Sequence, residues 1–146
     1  MPSAHEIEVL IRAKYPILYI VSWEERRVSD AVSKVCQSIN RTLHTWSITQ
    51  GMRPPVNRMA GSMKASTLPG ELEALALIHE APEATVFLLR DFHPYMKDYR
   101  AIRLLRDLAN QLRDKRQTII LTGPVLQLPT DLEKDITIVD FALPSQ

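Results

Sequence analysis

Only one cysteine, Cys36, stands among the 146 residues, which excludes an internal disulfide and a cysteine-rich zinc site. Charge of one sign is also missing. Lys and Arg number 18 against 17 Asp and Glu, so a net +1 gives no overall basic footprint for nucleic acid or an anionic membrane. No apolar run approaches the roughly 20 residues that span a bilayer. Met1 to Tyr15 scatters Glu6, Glu8, Arg12 and Lys14 among its apolar residues, unlike a secretory signal. The absences together read as a reduced, intracellular, soluble chain, and hence a cytoplasmic one. Internal repeats and low-complexity segments are absent too. What is present, 45% hydrophobic residues, suffices for one continuous core, so 1–146 reads as a single domain.

The chain is organised around Ala84-Thr85-Val86-Phe87-Leu88-Leu89-Arg90-Asp91-Phe92-His93-Pro94, an unbroken apolar run ending abruptly in charge. Such a run reads as a strand buried on both faces, the habit of parallel sheets covered by helices. Ligands of open α/β sheets bind beyond the carboxyl ends of strands, which directs attention to Arg90, Asp91 and His93.

The remaining elements fall on either side of that strand. Ser3 to Glu6 has capping-box spacing, and Ile7, Leu10, Ile11 and Lys14 follow on one helical face before Pro16. Ile17 to Ser22 is a first buried strand. Ser22-Trp23-Glu24-Glu25 is a second capping box leading straight into a helix, along which Val28, Val32, Val35 and Cys36 form an apolar stripe. Cys36 on that stripe reads as a small core residue rather than a reactive thiol, which would need exposure and nearby positive charge. Leu43 to Thr49 alternates, as a strand nearer the sheet edge does. Gln50 to Pro69 holds Gly51, Pro54, Pro55, Gly61 and Pro69 with Arg53, Arg58 and Lys64 and no acid, so 50–69 reads as a long basic loop.

Glu71 to Glu80 and Asp98 to Arg116 have helical spacing, while Gln117 to Pro124 and Asp135 to Pro144 read as strands. His79, near a helix end, reads as a surface or dipole-compensating residue rather than a ligand. The arginines of the second helix interleave with acids, as on a solvated face. Helices alternating with five strands imply a three-layer α/β/α sandwich on a parallel sheet with right-handed crossovers.

Three strand tips could converge: Ser22 to Glu25, Arg90 to His93, and Thr122 to Pro124. A phosphate-binding loop after the first strand needs glycines and a lysine, but Trp23-Glu24-Glu25 stand there; the paired acids expected after the third strand are replaced by Arg90 and Asp91. Hydrolysis of ATP by this chain is therefore not expected. A receiver-like acid pocket could be formed by Glu24, Glu25, Asp91 and Thr122, but the lysine that would neutralise a phosphoryl group is missing from Phe141-Ala142-Leu143-Pro144. Nucleotide binding without hydrolysis, with Arg53, Arg58 or Arg90 on the phosphates, is a further alternative. Arginines beside strand tips would also suit a cyclic dinucleotide or another small anion.

Four strings carry a family resemblance: Pro16-Ile-Leu-Tyr-Ile-Val-Ser-Trp-Glu-Glu25, Trp46-Ser-Ile-Thr-Gln-Gly51, Leu89-Arg-Asp-Phe-His-Pro94 and Leu132-Glu-Lys-Asp-Ile-Thr-Ile-Val-Asp-Phe-Ala-Leu-Pro144. Over nearly its whole length the chain resembles the amino-terminal region of the cyanobacterial and plastid AAA ATPase family known as hypothetical chloroplast reading frame forty-six. The resemblance implies a degenerate AAA or P-loop-like domain with five parallel strands ordered 5-1-4-3-2. It implies no helical lid, since the sequence stops where an AAA core would pass into one, and no enzyme activity of its own. ATP and Mg²⁺ would belong to a separate catalytic module of the family, and this domain would need no cofactor or metal. The role implied is assembly, regulation or partner binding of an ATPase linked to photosynthesis and inorganic-carbon use, in the cytoplasm or the plastid stroma. The expected partner is a protein or a further AAA module, with a homo-oligomer left open. Trp23, Arg53, Arg58, Arg90, Asp91 and His93 are the candidate contacts, since exposed Trp and Arg are typical binding anchors.

Overall fold

A computed structural model describes residues 2–55 and 70–139. In chain order they form α1 (Pro2–Arg12), β1 (Ile17–Val21), α2 (Glu25–Ser38), β2 (Thr42–Ser47), β3 (Gly51–Arg53), α3 (Gly70–Glu80), β4 (Thr85–Arg90), α4 (Tyr99–Asp114), β5 (Thr118–Gly123) and β6 (Ile136–Val139), with 3₁₀ turns at His93–Lys97 and Thr130–Leu132. The sheet is a single six-stranded one, ordered β3-β2-β4-β5-β1-β6.

The period-two rule explains how one sheet makes two cores. Leu18 and Ile20 of β1, Val86 and Leu88 of β4, and Ile120 of β5 face one way, against Ile7 and Ile11 of α1 and Val28, Val32, Val35 and Cys36 of α2. Ile17, Tyr19, Phe87, Leu89, Ile119 and Leu121 face the other way, against Leu72, Leu75 and Ile78 of α3 and Leu105, Leu108 and Leu112 of α4. Strands covered on both faces have no polar positions to spare, which is why β4 is so uniformly apolar.

Four expectations are corrected. The sheet is mixed rather than wholly parallel, because Gly51–Arg53 folds back antiparallel on β2, pairing Thr45 with Arg53 and Ser47 with Gly51. Strand count and order therefore differ from five strands in the order 5-1-4-3-2 by that one added edge strand, outside which the parallel strands run β6-β1-β5-β4-β2. The same hairpin shortens the expected 50–69 loop, since Gln50 to Pro55 is docked: Arg53 Nε donates to Gln50 O at 3.1 Å, and the buried His44 ring donates Nδ1–H to Pro54 O at 2.6 Å. Arg58 and the rest of that stretch, 56–69, lie outside the described residues. Third, α1 starts at Pro2, so Ser3 falls inside the helix rather than at its cap.

The fourth correction concerns entry into α2. Its N-cap position is Glu24, with no side-chain cap, and Ser22 Oγ instead accepts from Glu24 N at 3.0 Å. Ser22 cannot join a reciprocal capping box because its own N–H is already committed to the sheet, donating to Gly123 O at 2.9 Å. By contrast, Asp98 caps α4, accepting from Arg100 N at 2.9 Å. That bond to the charged form holds the Asp98 carboxyl below its ordinary range.

Candidate functional site at the strand tips

The register brings the tips of β1, β4 and β5 together. Ile20 pairs with Thr122 and Val21 with Gly123 across β1 and β5, while Arg90 pairs with Thr122 across β4 and β5. Asp91 ends β4 by turning into the left-handed region at φ 54°, which a short polar side chain tolerates, and its N–H continues the ladder to Thr122 O at 2.8 Å. A cavity of about 160 Å³ lies among Ser22, Trp23, Glu25, Asp91, Thr122, Gly123 and Pro124. Tyr19 ties down the segment after β5: its hydroxyl donates to Val125 O at 2.7 Å and accepts from Gln127 N at 3.2 Å. Burial raises the Tyr19 pKa, so the phenol stays protonated and able to donate.

The charges around this cavity are largely used up. Glu24 lies 3.8 Å from Arg27 Nε, and Glu25 Oε2 accepts from Arg90 Nη1 at 3.3 Å. Both carboxylates sit at the amino end of α2, where they complement the helix dipole. Asp91, in contrast, has no ion pair among the described residues. Gly123 marks a close approach: a Cβ there would lie 2.9 Å from His93 Nδ1 and 3.3 Å from Asp91 Oδ1. Four side chains of intermediate or complete burial hold a polar atom without a hydrogen-bond partner among the described residues, and three of those atoms gather here: Arg90 Nε, His93 Nδ1 and Thr122 Oγ1.

Of the candidates read from sequence, Trp23, Glu25, Asp91 and Thr122 therefore share one cavity, with Glu24, Arg90 and His93 beside it. Trp23 is 83% exposed and does not plug the tips. Arg53 is not part of this group. It sits on the edge strand β3, three strand spacings of about 4.8 Å from β5. Gly123 and Tyr19 were not singled out by sequence reasoning, and no local signal marks them, since their roles come from neighbours distant in the chain. Among the described residues no group of three or more His, Cys, Asp or Glu is placed to hold a metal ion, and no helix is long and apolar enough to cross a membrane.

Fold comparison finds this architecture in solved structures. A chain in the structure of Drosophila ORC bound to AT-rich DNA and Cdc6 superposes with a TM-score of 0.57 at 11% identity, covering 95% of this chain and 52% of that one. A chain in the structure of Drosophila ORC bound to DNA gives 0.52 at 11% identity, covering 99% and 91%. Such low identity establishes the fold alone. Sequence is more specific: residues 3–141 match the model of the SpoVK-like AAA ATPase, N-terminal domain, and the chain belongs to that family. It is 33% identical to the uncharacterized AAA domain-containing protein ycf46 of Guillardia theta, over 99% of this chain and 28% of that protein. The ycf46 protein of Trieres chinensis is 32% identical over 95% and 28%. The chain thus spans less than a third of the length of these relatives.

Proposed function

We propose that this domain is a non-catalytic AAA-like module that serves assembly, regulation or partner binding of the AAA protein to which it belongs. One observation carries the reading. Where an AAA-type sheet would offer phosphate-binding backbone, Glu24 and Glu25 occupy the start of α2, and the cavity beside them holds about 160 Å³. Small-molecule pockets run from roughly 300 Å³ upward, so the small volume supports a site that does not take a nucleotide. A triphosphate would also meet the Glu25 and Asp91 carboxylates directly. Arg90, the cation best placed to offset them, is engaged by Glu25.

The exposed apolar side chains support a binding role. Trp23 follows β1, Ile48 follows β2, Tyr99 opens α4 after β4, and Val125 and Leu126 follow β5, so among the described residues five of the eight exposed large apolar side chains lie at the carboxyl edge of the sheet. Aromatic residues on an exposed edge are the usual anchors of protein interfaces. In the finer form of the proposal, the partner is a further AAA module or another protein, and the setting is photosynthesis or inorganic-carbon use in the cytoplasm or plastid stroma. Calorimetric titration with ATP and Mg²⁺ tests the proposal: no saturable heat is expected, and micromolar binding lost in Arg90→Ala would overturn it in favour of nucleotide binding.

The shared placement of Glu25, Asp91 and Thr122 on one cavity favours the receiver-like acid pocket as the second reading. Beryllofluoride with Mg²⁺ would then shift the amide resonances of Asp91 and Thr122. Unchanged spectra would dispose of it.

A further inference from the structure

We infer that the outer edge of β6, with the basic cleft beside it, takes an extended acidic segment of a protein partner as an added strand. This deepens the partner-binding reading above and rests on it, with a second surface at the opposite end of the sheet from Trp23. Two features specify the occupant: an unguarded sheet edge and a cationic cleft continuous with it. β6 pairs with β1 alone, and no other backbone hydrogen bond reaches it among the described residues. Sheets ordinarily guard such an edge with charge, proline or a cover, because its free N–H and C=O groups template pairing. The opposite edge strand is guarded in this way: β3 ends on Arg53 and runs straight into Pro54 and Pro55. β6 is Ile136-Thr137-Ile138-Val139, wholly β-branched and without charge or proline, and its Ile138 is 47% exposed.

The cleft, of about 430 Å³, is lined by Lys14 and Tyr15 ahead of β1, Arg113 at the end of α4, and Lys134, Asp135 and Thr137 where β6 begins. Thr137 belongs to strand and cleft alike, so the two surfaces are continuous. Three cations meet one carboxylate there, and that carboxylate is already spent: Asp135 Oδ1 accepts from Arg113 Nη2 at 3.5 Å. Lys14 and Lys134 have no ion pair among the described residues. The groups that oppose an anion are the carbonyl ends of α1 and α4. Backbone donors close both, Tyr15 N donating to Leu10 O at 3.2 Å and Gln117 N to Leu112 O at 2.8 Å. Asp114 and Glu133, adjacent in sequence to these cations, are exposed and do not line the cleft. Strand addition draws affinity from main-chain bonds and specificity from the pockets its side chains meet. Here the pocket is cationic, so carboxylates at the end of the added strand meet Lys14 and Lys134, and an apolar side chain meets Ile138. A neutral strand would forgo the lysines, and a basic one would be repelled by them.

The test uses the 146-residue chain, ¹⁵N-labelled, titrated with three peptides capped at both ends. The first is Glu-Glu-Val-Thr-Val-Thr-Glu-Glu, the second has Gln for every Glu, and the third has Pro for the second Val. Acids at both ends let the strand add in either direction. The acidic peptide is expected to shift the Thr137, Ile138, Lys14 and Tyr15 amides saturably, with a Kd on the order of 0.1–1 mM at low salt. The Gln peptide should bind about tenfold more weakly, and the Pro peptide should not saturate. Lys14→Gly suits the left-handed backbone at φ 67° and so keeps the fold; combined with Lys134→Gln it should weaken the acidic peptide about tenfold. Equal affinity for the Glu and Gln peptides, equal affinity for the Pro peptide, or no loss in the double variant would overturn the inference. Saturation of the Lys14 and Lys134 amides by inorganic phosphate, with no peptide response, would overturn it too and assign the cleft to a free anion. A dimer in sedimentation that broadens the β6 amides, again with no peptide response, would assign the edge to a second copy instead. Failure here without ATP binding leaves partner binding through the carboxyl edge standing, whereas micromolar ATP binding lost in Arg90→Ala removes the reading on which the inference rests.

Discussion

Gly123→Ala probes how tightly the strand tips are assembled. Gly123 is buried at the end of β5, its carbonyl accepts from Ser22 N, and it does not have positive φ, so the added methyl brings no backbone strain. Two effects then compete. Alanine restricts the unfolded chain, which favours folding by about 0.4–1 kcal/mol. Against that, its Cβ would lie 2.9 Å from His93 Nδ1 and 3.4 Å from His93 Cε1, and contacts under 3.0 Å force something to move. His93 opens a 3₁₀ turn whose next residue is Pro94, so its backbone yields little and the ring must rotate. Overpacking of this kind costs about 1–3 kcal/mol. Sterics should win by about 1 kcal/mol, lowering Tm by about 3 °C for a domain of this size. Urea unfolding followed by far-ultraviolet circular dichroism measures it. Removing the ring isolates the cause: in a His93→Ala background the same substitution should become neutral or stabilising, giving a coupling energy of about 1–2 kcal/mol in the double-mutant cycle. A Gly123→Ala protein as stable as the parent, or an unchanged cost in the His93→Ala background, would refute the close approach.

Two further outcomes follow from buried groups. Tyr19→Phe removes the hydroxyl that both donates to Val125 O and accepts from Gln127 N, so it should cost about 1–3 kcal/mol in urea unfolding and speed amide exchange at Gln127. Cys36 is 3% exposed, and burial, only partly offset by Arg41, pushes its thiol up to about 11. An unfolded thiol titrates near about 8.5, so this contribution to stability is whole below that pH and is lost as pH rises from about 8.5 towards the folded value. Stability should therefore fall across that interval in the parent and fall less in Cys36→Ala, and a disulfide reagent at pH 8 should label Cys36 only as fast as the protein opens.

The strands and helices that bury one side chain in two, or one stripe in three or four, were legible because burial imposes those periods on sequence. β1, β4, β5 and the stripes of α2 and α4 fall where the spacing predicts. β3 did not announce itself: three residues, Gly51, Met52 and Arg53, are too few to show a period, and what holds them is pairing with β2 and the distant Met52 contacts in the core. The start of α2 was misread for a different reason. A Ser-x-x-Glu string serves a capping box only if the serine N–H is free, and that depends on Gly123, a residue 101 positions away. Spacing records what a segment can do by itself, and it cannot record a donor already spent elsewhere.

The same distinction separates the two carboxylates at the site. From sequence, Glu25 and Asp91 are equivalent acids at strand tips, and a receiver-like reading treats them as partners. In the fold their situations diverge. Glu25 stands at the first turn of α2, within reach of Arg90, and contributes to closing that helix onto β4. Asp91 gives the ladder its last N–H, leaves β4 through a left-handed backbone and is kept beside Gly123, where no cation among the described residues pairs with it. A carboxylate held by backbone geometry at a cavity mouth, unpaired among the described residues, adds no ion pair to the domain's own stability. Removing Glu25 should therefore be felt chiefly in the isolated domain, as a loss of about 0.5 kcal/mol that shrinks with salt. Asp91→Asn, which keeps a short polar side chain tolerant of the left-handed backbone, should leave urea unfolding close to that of the parent.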